Sequence, residues 1–255
     1  MDIYKRGTQR HIIVRRFYVF LLFVLVAPDV IAQQSFFNVP SSDITPRRKL
    51  FFQQQFSFYR SGIQSNTTTS YGLGHGFEAG LNLLGVSDEF GKRIAFNDHT
   101  EPYAPLLAVN AQKKFELSHV VSVGLGTQLG MNRDRECGAY VYSNGVYLAE
   151  RTKTKLVGGV YYASDGYFGP ETRNWSEDRL LRRFGLQWGI EQNLWKDKLF
   201  FQTDYISGKH SLGQIVFGGA YCLTRQWVVS SGIQLATENS KALNELVFEL
   251  TYVPK

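Results

Sequence analysis

The chain holds 255 residues with a formal net charge of +6, 15% aromatic residues, 24 glycines and only two cysteines. Five bases and two acids fall in the first 32 residues, so residues 33–255 carry +3. Their Lys and Arg form no stripe, which excludes nucleic acid as an expected partner. Abundant aromatics and glycines without an amphipathic helix leave two architectures, a β-sandwich or a β-barrel.

Lys5, Arg6, Arg10, Arg15 and Arg16 make a positive leader, Phe17 to Ala27 an apolar core, and Val30-Ile31-Ala32 a compact site ahead of Gln33. That order is the pattern of a secretory signal. The apolar run is little more than half of the ~20 residues a spanning helix needs. Residues 1–32 are therefore expected to be a cleaved signal peptide. Residues 33–48 (QQSFFNVPSSDITPRR) are polar, contain proline and show no periodicity. They form a periplasmic lead-in that is either a loose tail or a segment tucked into the mouth of a barrel.

From residue 49 to the C-terminus the sequence alternates. Side chains on a strand point to opposite faces in turn, so period-two patterning gives one greasy face and one wet one. Phe184, Leu186, Trp188, Ile190 and Leu194 oppose Arg183, Gln187, Glu191 and Asn193. Leu246, Phe248, Leu250 and Tyr252 interleave with Glu245, Val247, Glu249 and Thr251. The pattern predicts strands at 49–60, 63–73, 76–86, 103–115, 119–131, 138–149, 153–163, 182–194, 198–209, 212–222, 226–236 and 244–253. Segments 63–73 and 138–149 permit either register, and without them ten strands remain.

Connection lengths add a second signal. Joints at Gly74-His75, 116–118, Arg151-Thr152, Lys196-Asp197 and Thr224-Arg225 are short, whereas 87–102, 132–137, 163–181 and 238–243 are longer. Two joints, at Ser61-Gly62 and 209–212, are short exceptions. Membrane barrels of bacteria have short periplasmic turns and long outer loops. An even strand count places both ends of residues 49–255 at the periplasmic rim. The expectation is one antiparallel up-and-down transmembrane β-barrel, all-β, of twelve strands. Cys137 and Cys222 then fall near opposite rims, too far apart for a bridge, which needs Cα atoms within about 7 Å.

The last strand resembles the C-terminal β-signal of outer-membrane proteins, with apolar residues at 246, 248 and 250 and an aromatic at 252, although Pro254 and Lys255 follow. That resemblance implies the barrel-assembly machinery as a partner during biogenesis. NVPSSDITPRRKLFFQQQFSF (Asn38 to Phe58) and YGLGHGFEAGLNL (Tyr71 to Leu83) resemble uncharacterised porin-like barrels of Gram-negative bacteria of the Bacteroidetes type. The resemblance implies a fold and an outer-membrane location, with outer-membrane lipid around the wall, and no particular solute.

If the apolar face meets lipid, the alternate residues line the lumen. These are Gln53, Gln55, Tyr59, Glu78, Asn82, Asn110, Gln112, Lys114, Gln128, Arg183, Gln187, Glu191, Asn193, Gln202, Asp204, Gln234 and Glu249. Amides and carboxylates suit passage or capture of small polar solutes. The alternative is a closed barrel that fills its own interior and binds a partner through its outer loops, since small barrels are packed and only wide ones hold a channel. Tyr59, Tyr103, Tyr140, Tyr142, Tyr161, Tyr162, Trp188, Trp195, Tyr221, Trp227 and Tyr252 near strand ends read as interfacial girdles.

A lipid hydrolase is the less favoured third reading. Ser143-Asn144-Gly145 is present, but no histidine is placed as its base. His75, His99, His119 and His210 are dispersed, with no metal-ligand spacing. No dinucleotide or phosphate-binding glycine motif occurs. No catalytic residue, cofactor or metal is expected.

Overall fold

The computed structural model describes residues 36–90, 106–132, 135–168 and 183–255. The expected signal peptide and most of the two longest loops, including His99 and Tyr103, lie outside them. Twelve strands follow in chain order: β1 (Leu50–Tyr59), β2 (Gly62–Gly74), β3 (Phe77–Glu89), β4 (Leu106–Glu116), β5 (Val121–Met131) and β6 (Cys137–Ala149). Then come β7 (Thr154–Ala163), a four-residue helix α1 (Asp165–Phe168), β8 (Phe184–Trp195), β9 (Leu199–Ile206), β10 (Gln214–Cys222), β11 (Trp227–Ala236) and β12 (Glu245–Tyr252).

Each strand pairs with its sequence neighbours and β1 pairs with β12, so the sheet closes on itself. The barrel is all-β, antiparallel and twelve-stranded, as the alternation predicts, and strand ends fall within three residues of the predicted ones. Both ambiguous segments are strands. Closure matters because an open edge would leave a row of unpaired backbone groups. At the seam Gln55 faces Glu249 and Phe56 faces Phe248, so polar and apolar rows continue across it.

The outer wall is apolar. Leu81, Val109 and Leu129 lie side by side on β3, β4 and β5 and are each more than half exposed. Leu186 is 61% exposed and Phe184 57%, so no second sheet covers them. Single small polar residues such as Ser143 on β6 and Ser231 on β11 interrupt the stripe, and its widest break is where β1 meets β2. There the Gln54 amide donates to Ser65 Oγ at 2.8 Å and accepts from Thr67 Oγ1 at 2.7 Å. Those self-paired groups are why 63–73 reads ambiguously in the sequence.

One rim holds the start of β1, the end of β12 and all the tight turns but that at Arg60-Ser61 between β1 and β2. Gly74, at this rim, has φ +92°, a conformation costly for any residue with a Cβ. The β8–β9 hairpin turns on Lys196 and Asp197, with φ of 43° and 55°, the primed geometry that suits strand twist. The connections spanning 90–105 and 164–183 both lie at the other rim.

Tyr162, Trp188, Trp195, Tyr221, Trp227 and Tyr252 alternate outward with the apolar stripe, the face that a girdle requires. The girdle reading fails for Tyr140, Tyr142 and Tyr161, which point inward and are buried. Strand β6 is aromatic or apolar on both faces, so its pattern could not choose a side. Its register with β5, Gln128 against Tyr140 and Gly126 against Tyr142, does.

Cys137 is exposed at the start of β6, while Cys222 is buried at the end of β10, and both thiols are free. A maleimide should label the folded protein once, at Cys137, and a second time only after unfolding. Mass spectrometry before and after denaturation checks this.

Candidate functional site

Within the barrel, wall side chains converge on a thirteenth element that is not a strand. Residues 36–48 enter at the rim where β1 begins and run up the lumen. Of the two courses open on sequence, a loose tail or a tucked segment, these residues take the interior one. Phe36, Phe37, Val39, Ser41, Ser42 and Thr45 are all buried. A single parallel bridge, Arg47 with Gly72, joins this segment to the sheet. The rest of it is held by side chains gripping its main chain.

Two carboxylates accept its N–H groups. Asp204 Oδ2 takes the amides of Asn38 at 2.6 Å and Val39 at 3.0 Å, and Glu78 Oε2 takes that of Thr45 at 2.7 Å. Three amide side chains donate to its carbonyls. Gln55 Nε2 reaches Phe37 O at 2.9 Å and Asn144 Nδ2 reaches Pro40 O at 2.6 Å. Gln112 Nε2 is shared between Ser41 O at 2.9 Å and Asp43 O at 3.1 Å. Lys155 forms an ion pair with Asp43 while its Nζ stands 5.5 Å from the Phe36 ring centroid. Hydrogen bonds with one charged partner contribute about 1.5–3 kcal/mol each, more than neutral ones.

The wall is also shaped for the segment. A Cβ on Gly72 would stand 2.1 Å from Pro46 O, and one on Gly189 would stand 2.7 Å from the Phe36 ring. Only glycine admits the chain at those points. Above the segment Tyr140 stacks on Tyr161 and Tyr167, with centroids 5.4 and 5.2 Å apart. Below it Phe51, Ala220, Cys222, Val228 and Val253 form an apolar cluster.

Of the predicted lining residues, Gln53, Gln55, Glu78, Asn82, Gln112, Gln187, Glu191, Gln202, Asp204, Gln234 and Glu249 are buried on the inner face. Asn110 also points inward and donates to Asn82 and to Thr69 O. Lys114 and Asn193 sit lower, at the turn rim, where Lys114 pairs with Glu116 at 3.1 Å and Asn193 bonds Asp197. Arg183 is not on the wall: it precedes β8 at the opposite rim and grips both carboxylate oxygens of Asp165 in α1. The alternation in the sequence runs one residue past the strand end to include it.

Two kinds of inward carboxylate emerge. Glu249, Glu245 and Glu191 are satisfied across the wall by Gln55 at 3.0 Å, Gln234 at 3.0 Å and Gln202 at 2.7 Å. Glu78 and Asp204 are turned to the segment instead. Sequence reasoning missed Asn144, Lys155 and Ser122, whose hydroxyl shares a hydrogen bond with Ser42. Lys155 alternates with Val157 and Tyr161, so an inward face rich in apolar groups masked it. Ser143 faces outward between Leu125 and Val160, on the opposite face from Asn144. His75 and His119 lie in turns at the lower rim.

The fold is shared with known porins. A KdgM porin structure matches with a TM-score of 0.54 at 10% identity, covering 80% of this chain and 99% of that one. KdgM porin in complex with disordered oligogalacturonate gives 0.52 at 11% identity, with 80% and 99% covered. A NanC porin structure gives 0.51 at 10% identity, with 81% and 100% covered. No family model and no curated protein sequence matches the chain.

Two expectations come from the grip on the segment and from the loop above it. Asp204→Asn weakens the charge-assisted bonds to the amides of Asn38 and Val39. Their hydrogen exchange should rise about ten- to hundredfold, the equivalent of about 1.5–3 kcal/mol, with distant strand amides unmoved. In the loop 207–213, His210 Nδ1 accepts from Leu212 N at 3.2 Å, so Nε2 carries the proton opposite Tyr161 Oη at 2.8 Å. Burial lowers the imidazole pKa from 6.5 to about 4. The unfolded loop therefore takes up a proton that the folded loop refuses. Loop stability is full above pH 6.5 and is lost as pH falls towards about 4. Amide exchange at Leu212 against pH checks this, and His210→Gln should flatten the profile.

Proposed function

We propose that the protein is an outer-membrane, porin-like channel for small polar solutes, held shut by residues 36–48. A leader cleaved before Gln33 exports it. The apolar belt then faces lipid, and the last strand engages the assembly machinery. The supports are the mostly apolar outer wall, a closed fold shared with porins and an interior of amides and carboxylates. Transport rather than chemistry is the reading, since Ser143 faces away from the lumen.

One observation carries it. The occupant of the lumen is held by side chain to main-chain bonds rather than by a sheet ladder, and it is tethered to the wall through residue 48 alone among the described residues. Withdrawing it costs no pairing between the twelve strands, only the single Arg47–Gly72 bridge. It would leave the donors and acceptors of Gln55, Glu78, Gln112, Asn144 and Asp204 facing a water-filled path. Twelve strands stand between barrels packed solid by side chains and those wide enough for a standing channel. A segment of chain fills the difference.

The inward carboxylates Glu78, Glu191, Asp204, Glu245 and Glu249 outnumber the inward ammonium groups of Lys114, Lys155 and Lys198. The preferred solutes are therefore neutral or cationic, unlike the oligogalacturonate in one neighbour's complex.

Planar-bilayer recording tests both points. The intact protein should be silent or open briefly, and deletion of residues 33–47 should give steady openings. A disulfide between S42C and S122C, with Cys137 and Cys222 replaced by serine, should silence the channel until reduced. In a potassium chloride gradient the deleted variant should show a reversal potential of the sign set by cation selectivity. A folded, inserted deletion variant that never conducts would overturn the channel in favour of a closed barrel that binds partners through its outer loops.

A further inference from the structure

Bases that are scattered in the sequence are gathered by the fold at one end. At the rim of short turns the exposed bases are Arg47, Arg48, Lys49, Arg151, Lys153, Lys196, Arg225 and Lys255. They lie ahead of β1, in the β6–β7, β8–β9 and β10–β11 turns and after β12, and so are spread around the circumference. Among the described residues the acids of this rim's turns are Glu116, Glu150 and Asp197. Two of these are already paired, Glu116 with Lys114 at 3.1 Å and Asp197 with Lys153 at 2.8 Å. The opposite rim mixes signs, as in the pair of Arg183 with Asp165.

The height of these bases on the barrel matters as much as their sign. Lys196 follows outward-facing Trp195, and Arg225 lies two residues before outward-facing Trp227. Lys113 emerges on the outer wall with its Nζ 5.7 Å from the Phe115 ring centroid. Aromatic rings and the stems of long basic side chains share the depth at which a bilayer's headgroups begin. The bases thus sit level with the outward aromatics of this rim, and Lys113, whose Nζ donates to His75 O, lies on the outer wall rather than at the mouth.

We propose that this rim is a binding collar for anionic phospholipid in the leaflet that faces the periplasm, each phosphate being held between a base and its neighbouring aromatic. The inference rests on the membrane reading above. Phosphodiester headgroups match the collar because they offer negative charge and hydrogen-bond acceptors, and Arg pairs with them bidentately. A base close to an anionic leaflet favours association by about fivefold. The collar fixes the depth of the barrel and marks the short-turn rim as the side that meets charged lipid.

Tryptophan quenching in vesicles measures it. The full chain is inserted into phosphatidylglycerol–phosphatidylcholine mixtures with either lipid brominated in turn. Phosphatidylglycerol should be preferred at the wall by about fivefold or more at low salt. In about 1 M salt, where the screening length is about 3 Å, the preference should fall towards unity. The variant R48N/K49Q/R151Q/K196N/R225Q should behave likewise at low salt, the asparagines being chosen because positions 48 and 196 have positive φ. Equal quenching by the two lipids, or a preference that survives both salt and substitution, overturns the collar. If the variant does not insert, the salt dependence of the unmodified protein decides. Failure of the unmodified protein to insert into either lipid counts against the membrane reading itself.

Discussion

Closure of the sheet at the β1–β12 seam is the constraint on which the rest of the molecule depends. Seven residue pairs, from Phe52 with Tyr252 to Phe58 with Leu246, remove the last open edge. With every strand paired on both sides, the backbone needs nothing from its surroundings, and the outer wall is free to be apolar. The seam also transmits register: a slip of β12 by one residue would turn Glu249 outward and Phe248 into the lumen.

A closed sheet of this size poses a second problem, its interior. Side chains alone fill a barrel of about eight strands. Here they meet only near the two ends, as tyrosines above and as the Phe51 cluster below. Between them the chain supplies its own filling, residues 36–48. Buried backbone polar groups need partners, and the wall provides them as amides for carbonyls and carboxylates for N–H groups. The geometry also explains why two kinds of acid coexist inside. Glu249, Glu245 and Glu191 are bound to glutamines across the wall and hold strands together, while Glu78 and Asp204 hold the occupant.

These features fit one membrane protein with three zones. In the proposed reading a greasy wall meets lipid, a charged collar sets the depth, and a gripped segment closes the lumen. The grip is reversible in kind, because it consists mainly of side-chain hydrogen bonds, with one ion pair and one isolated bridge. The pairing that makes the barrel does not depend on it.

The twelve strands, their faces and the even topology were legible in the sequence, because period-two alternation and turn chemistry are local properties. The inward placement of Glu78, Gln112, Asp204 and Glu249 was legible for the same reason. What residues 36–48 do was not, since a segment without periodicity carries no sign of the surface it will meet. The inward course of Tyr140 and Tyr142 was hidden too, because β6 is apolar on both faces and only its pairing with β5 selects one. The basic rim is invisible as a run of residues, since its members are separated by whole strands and brought together only by the turns. Alternation by itself determined strands with one greasy and one polar face, and the leader and the asymmetry of the connections pointed to a barrel. Only the tertiary structure decided that the inside is occupied and that one rim is positive, because both depend on contacts between residues far apart in the chain.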